Sequence, residues 1–199
     1  MKVLSIVAAS VLCIGASVAT AQDAGVNKST PTQDTATSNS NANSNSNAGS
    51  NSKVDTKEFV HKAAAAGQDE VQMGQLGAQK ATNPEVKAYA QKMVTDHTKA
   101  NKQLMDAAQS KNIDLPKGPD LMHKGMMEKM DHQKADQDFD KDFMQSMVKD
   151  HKKAVDLYQT AANSKDVDPE FRALAQKTLP KLQEHLQEAQ ELERKVASR

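Results

Sequence analysis

The sequence predicts an all-α protein, a four-helix bundle with a long crossover between its second and third helices, preceded by a disordered spacer. Three observations predict it. Through residues 54–199 apolar residues recur at three- and four-residue spacing, with no two-residue alternation. Helix starts are marked by Asp55-Thr56-Lys57-Glu58, Asn83-Pro84 and Asp168-Pro169, each pairing a cap residue with a first-turn glutamate or proline. Ahead of them, residues 22–53 hold no aromatic residue and a single branched aliphatic one, Val26.

The elements follow in chain order. Met1-Lys2 is a short positive start, Val3 to Ala19 is apolar or small, and Ala19-Thr20-Ala21 presents small residues where a signal peptidase reads. Residues 1–21 are therefore expected to be a signal peptide cleaved before Gln22. Leu12 precedes Cys13, which argues against lipoprotein processing, so the only cysteine leaves with the signal. In the 22–53 linker, twelve of the fifteen residues from Ser38 to Ser52 are Asn or Ser. Such a segment buries too little apolar surface to offset its ordering entropy.

Residues 54–199 form the bundle domain. A first helix is expected over about 56–81, with Phe59, Ala63, Ala66, Met73 and Gly77 inward. A second spans about 84–111, with Val86, Tyr89, Met93, Ala100 and Leu104 inward. A third covers 136–163 through Phe143, Met147, Ala154 and Leu157/Tyr158, and a fourth covers 169–197 through Leu179, Leu182, Leu186, Ala189 and Leu192. Gly67, Gly74 and Gly77 each cost a helix about 1 kcal/mol against Ala, which points to close approach of a neighbouring helix. Pro180 should kink or break the fourth helix, since it removes a donor and crowds the preceding turn. The connection over 112–135 is long enough to return the chain along the bundle, and Leu121 to Met130 within it reads as a short helix.

Composition narrows the function. Lys+Arg and Asp+Glu both number 26, and there are two Tyr, four Phe and no Trp. A balanced charge with few stacking side chains argues against nucleic acid as a partner. No apolar run beyond the N-terminus is long enough for a transmembrane segment, and one cysteine excludes a disulfide framework. No glycine-rich phosphate loop, Gly-x-Ser-x-Gly elbow or cysteine nucleophile occurs.

Four polar residues interrupt the inward stripes. Glu70 lies between Ala66 and Met73, His97 between Met93 and Ala100, His151 between Met147 and Ala154, and His185 between Leu182 and Ala189. Each sits near the middle of its helix. Midpoints of helices of similar length share a height in a bundle, so one carboxylate and three imidazoles converge. The second and third helices also share a repeat, since Met93–Ala100 matches Met147–Ala154 at six of eight positions around Asp96-His97 and Asp150-His151.

One reading is a metal site in which Glu70, His97, His151 and His185 bind iron, zinc or copper and Asp96 and Asp150 orient the ligands. The other is a metal-free Glu–His hydrogen-bond network that fixes helix register. Di-iron bundles offer several glutamates and Glu-x-x-His motifs. Their absence argues against oxygen or peroxide chemistry and against an enzyme. The segment Met122-His123-Lys124-Gly125-Met126-Met127-Glu128-Lys129-Met130-Asp131-His132 has thioether and imidazole donors that suit copper(I). Its methionines at four-residue spacing are better explained as a crossover helix covering the bundle. His61 and His123 have no obvious partner and are expected to be exposed.

The pattern Phe59…Ala65-Ala66-Gly67-x-x-Glu70-Val71-x-x-Gly74-x-Leu76, Met93-Val94-x-Asp96-His97, Phe139-Asp140…Met144…Asp150-His151 and Leu179-Pro180-x-Leu182-x-x-His185-Leu186 resembles the bacterial domain-of-unknown-function family 4142 over residues 56–192. The resemblance implies a ferritin-like bundle and an exported protein of a bacterial envelope, periplasmic or outer-membrane associated, with no established activity. The family's recurring polar positions fall on Glu70, Asp96, His97, Asp150, His151 and His185. Two functions are thus expected in competition: a metal-binding envelope protein, or a metal-free structural or stress-related module with an envelope protein as partner.

Overall fold

The computed structural model of the chain describes residues 54–116 and 121–198. The signal peptide expected over 1–21, the linker over 22–53, and Gly118 and Pro119 of the crossover lie outside the described residues. Those described form a ferritin-like, all-α bundle of four long helices with a short fifth in the crossover: α1 (Thr56–Lys80), α2 (Pro84–Ser110), α3 (Leu121–His132), α4 (Gln137–Asn163) and α5 (Pro169–Ala197). Among them, no helix is long and apolar enough to cross a membrane.

The cap residues do what their chemistry suggests. The side chains of Asp55, Asn83 and Asp168 accept from the backbone N–H of Glu58, Glu85 and Glu170 at 2.8, 2.9 and 2.8 Å. Asp136 caps α4 by accepting from Asp138 and Phe139 N–H, both at 3.1 Å. Each bond satisfies a donor the helix itself cannot.

Helix directions follow from which ends meet. Phe59, early in α1, packs edge-on against Tyr158, late in α4, at 5.2 Å between centroids. Gly77, late in α1, faces Phe143, early in α4, so α1 and α4 are antiparallel. Lys195 pairs with Glu85 at 2.5 Å and Lys111 with Asp168 at 3.2 Å, so α2 and α5 are antiparallel as well. The α1–α2 and α4–α5 hairpins have short turns, which leaves α2 and α4 parallel across the bundle. The chain must therefore travel the length of α2, roughly 40 Å at 1.5 Å per residue, before α4 begins. α3 is part of that return, and Lys80 ties the end of α1 to it by donating to the carbonyls of Met130, at 3.2 Å, and Asp131.

Close approach explains two of the glycines. A Cβ on Gly74 would sit 2.9 Å from the Ala90 carbonyl oxygen, and one on Gly77 would sit 2.5 Å from ring carbons of Phe143. Pro180 does not break α5, which runs through it from Pro169 to Ala197. Both Pro180 and Gln176, whose carbonyl loses its donor, are exposed, so the orphaned acceptor lies toward solvent and the helix continues.

Asp140 does unforeseen structural work. Buried in the first turn of α4, it accepts from Thr82 N–H (2.9 Å), Thr82 Oγ1–H (2.6 Å) and Asn83 N–H (2.8 Å). It thereby pins the α1–α2 turn to α4.

The interior has two apolar parts. One gathers Met73, Tyr89, Met93, Phe139, Phe143, Met147 and Leu192 toward the start of α2 and α4. The other gathers Phe59, Ala63, Leu104, Tyr158, Phe171 and Leu182 toward their ends. A polar layer lies between them.

Candidate metal centre

That layer takes one residue from each long helix: Glu70 from α1, His97 from α2, His151 from α4 and His185 from α5. All four are buried, with 4, 6, 0 and 1 % of their surface exposed. Each occupies a position on its helix that the apolar stripe would otherwise give to a core side chain, which is why the fold carries it inward.

The three imidazoles form a nearly equilateral triangle. Ring centroids are 5.5 Å apart for His97–His151, 5.4 Å for His97–His185 and 5.6 Å for His151–His185. One nitrogen of each ring lies within 4.8 Å of one from each of the others. Tautomers follow from the outer partners. His151 Nδ1–H donates to the Met147 carbonyl at 2.9 Å, which leaves the lone pair on Nε2. His185 Nε2–H donates to Asp96 Oδ2 at 2.9 Å, which leaves it on Nδ1. Those two nitrogens and His97 Nε2 are buried without a hydrogen-bond partner, as is Glu70 Oε2. Buried polar atoms are ordinarily paired, and four orphans in one layer need an explanation.

Burial also sets the charges. It pushes His97 down to about 3, aided by His151 and His185, and His151 down to about 4 against the opposing pull of the Met147 carbonyl. His185 is lowered by burial despite Asp96. Glu70 is raised well above the carboxylate range, by burial first and then by the charges of Asp150 and Asp69. At neutral pH the layer therefore holds three neutral imidazoles beside a carboxyl that burial makes harder to ionise. Glu70 Oε1 lies 3.4 Å from His151 Nδ1, whose imidazole burial keeps neutral.

The expected set is thus distributed unevenly. His97, His151 and His185 come together, and Asp96 orients one of them. Glu70 meets His151 on its Nδ1 side, away from the orphaned Nε2. Asp150 pairs with Lys153 at 2.8 Å and makes no hydrogen bond to the imidazoles. A cavity of about 30 Å³ beside the rings is bordered by Gly67, Glu70, His97, Asn101, Tyr158 and His185. That is room for about one water-sized occupant. Asn101, one turn beyond His97, lies over Gly67, where a Cβ would come 1.9 Å from its Oδ1. Its place at i+4 from His97 was the available signal.

Two histidines expected at the surface are not free there. His61 is half-buried and its Nε2 lies 2.7 Å from the Asp114 carbonyl oxygen. His123 is buried, with Nδ1 3.6 Å from Asp69 Oδ2. In both cases the partner belongs to a segment distant in sequence, which no helical periodicity reveals.

Residues 20–192 match the model of a family described as a domain of unknown function, DUF4142. The chain belongs to this family. None of the curated proteins matches the DUF4142 chain significantly. Among solved structures it is similar to CopM in the Cu(II)-bound form, at 20 % identity and a TM-score of 0.57, over 70 % of this chain and 95 % of that one. The likeness is one of fold.

Proposed function

We propose that this DUF4142 protein is an exported envelope protein that binds one transition-metal ion between His97, His151 and His185. The observation that carries the reading is the triangle of buried neutral imidazoles, each with an unpartnered nitrogen and two with the opposite nitrogen anchored. Neutral imidazole is the form that coordinates, and an anchored far side fixes both tautomer and ring direction. Asp96 positions His185, the Met147 carbonyl positions His151, and Glu70 closes the layer behind His151.

Three imidazoles suit copper or zinc. Copper is favoured because a neighbour of the same fold carries Cu(II). The N-terminal 21 residues, read as a signal peptide, and the 22–53 spacer support an envelope location, periplasmic or outer-membrane associated.

The test is metal content by mass spectrometry on protein recovered from the periplasm without tag or chelator. Near-stoichiometric copper or zinc, lost in His97→Ala/His151→Ala, is expected, together with an N-terminus at Gln22. Trace metal that does not rise on reloading refutes the reading and leaves a metal-free register network.

A further inference from the structure

We propose a second metal site, for Cu(I), where α1 and α3 meet, with His123, Met126 and Met73 as donors and Asp69 orienting His123. It shares no ligand with the histidine centre and stands or falls separately from it.

The structure divides the Met/His segment. Met130 is buried in one of the apolar core halves, Met127 packs against the same half, and His132 is exposed. His123 and Met126 behave differently. Both line a groove of about 730 Å³ along α1 and α4 that also touches Asp69, Glu70 and Met73. His123 and Met126 are three residues apart on α3, and Asp69 and Met73 are four apart on α1, so each pair shares a helix face. The two faces meet, for His123 Nδ1 stands 3.6 Å from Asp69 Oδ2 and Met126 packs on the core half that contains Met73.

The donor chemistry is specific. A carboxylate beside Nδ1 favours the tautomer with the proton on that nitrogen, which puts the lone pair on Nε2. Two thioethers with an imidazole form a soft set, and soft sets select Cu(I) over harder divalent ions. Packing alone accounts for adaptable methionines under a crossover. It does not require a buried imidazole beside a carboxylate at that place.

The test is an anaerobic titration of the full chain with Cu(I) against a chromophoric Cu(I) chelator. His97→Ala/His151→Ala is expected to keep one bound equivalent, which adding His123→Gln/Met126→Leu removes. These two substitutions nearly conserve volume, and helicity by circular dichroism checks the fold. Unchanged Cu(I) binding after they are added, or no Cu(I) bound by folded His97→Ala/His151→Ala, overturns the proposal. A second measurement needs no variant: with ¹³C-methyl methionine, Cu(I) should shift the Met73 and Met126 signals and spare Met105 and Met144. Shifts confined to other methionines also overturn it. If the wild-type chain binds only one Cu(I), and His123→Gln/Met126→Leu removes it, the groove site stands, and the core reading is decided separately by the metal content of the periplasmic protein.

Discussion

Replacing His97 by leucine should make the bundle less sensitive to acid, by an amount the buried ring determines. In the unfolded chain this imidazole takes up a proton near 6.5, and in the fold only near 3, because burial and then the neighbouring His151 and His185 oppose its charge. Between those values the unfolded state binds more protons, so stability is complete above about 6.5 and is lost as pH falls toward 3. At pH 5 about 30 unfolded rings are protonated for each neutral one, which draws about 2 kcal/mol from the folded state at this residue alone. Glu70 acts in the opposite sense. Its folded carboxyl keeps a proton that the unfolded one releases, so its contribution to stability is present at low pH and lost as pH rises. His151, His185 and Glu70 titrate in both proteins, so the difference between variant and wild type isolates His97. The assay is urea unfolding followed by circular dichroism at pH 7, 6 and 5, with chelator present. The stability of His97→Leu relative to wild type should improve by about 2 kcal/mol between pH 7 and pH 5. A relative stability that stays constant over this range refutes the assignment of a neutral, water-excluded ring.

Four other outcomes follow. Gly77→Ala forces a Cβ to within 2.5 Å of the Phe143 ring; overpacking of about 1–3 kcal/mol should exceed the helix-propensity gain of about 1, and thermal unfolding should show a net loss. Asp140→Ala strips three buried or half-buried donors of their acceptor and should lower stability by about 2–3 kcal/mol in urea titrations. Asp96→Ala removes the group that orients His185 and should weaken metal binding by about 10–100-fold in competition titrations, with stoichiometry unchanged. Lys92→Ala breaks partly exposed pairs to Glu184 and Glu188 and should cost less than about 1 kcal/mol, vanishing at high salt.

The helices and the polar layer were legible because they depend on local rules. Asp55, Asn83 and Asp168 announce their helices by capping chemistry, and Glu70, His97, His151 and His185 occupy stripe positions whose direction the helical period dictates. What could not be read depends on neighbours distant in the chain or on side-chain torsions. Asp140 resembles any first-turn acid until Thr82 and Asn83 are brought against it. The pairing of His123 with Asp69 depends on how the crossover settles. Which edge of His151 meets Glu70 depends on a rotamer. Pro180 does not break its helix because an internal proline is prohibitive only where the orphaned carbonyl is shut away from water.

The polar layer draws Glu70 and His97 from the α1–α2 hairpin, and His151 and His185 from the α4–α5 hairpin. Neither hairpin alone contains the triangle, so the centre exists only while the two are docked. An ion held there would act as a clasp between halves, and its fastest escape would be their brief parting rather than global unfolding. Residence time would then be governed by contacts remote from the ligands, such as Phe59 against Tyr158 at one end and Gly77 against Phe143 at the other. Loosening either end would shorten retention while leaving the coordinating nitrogens untouched.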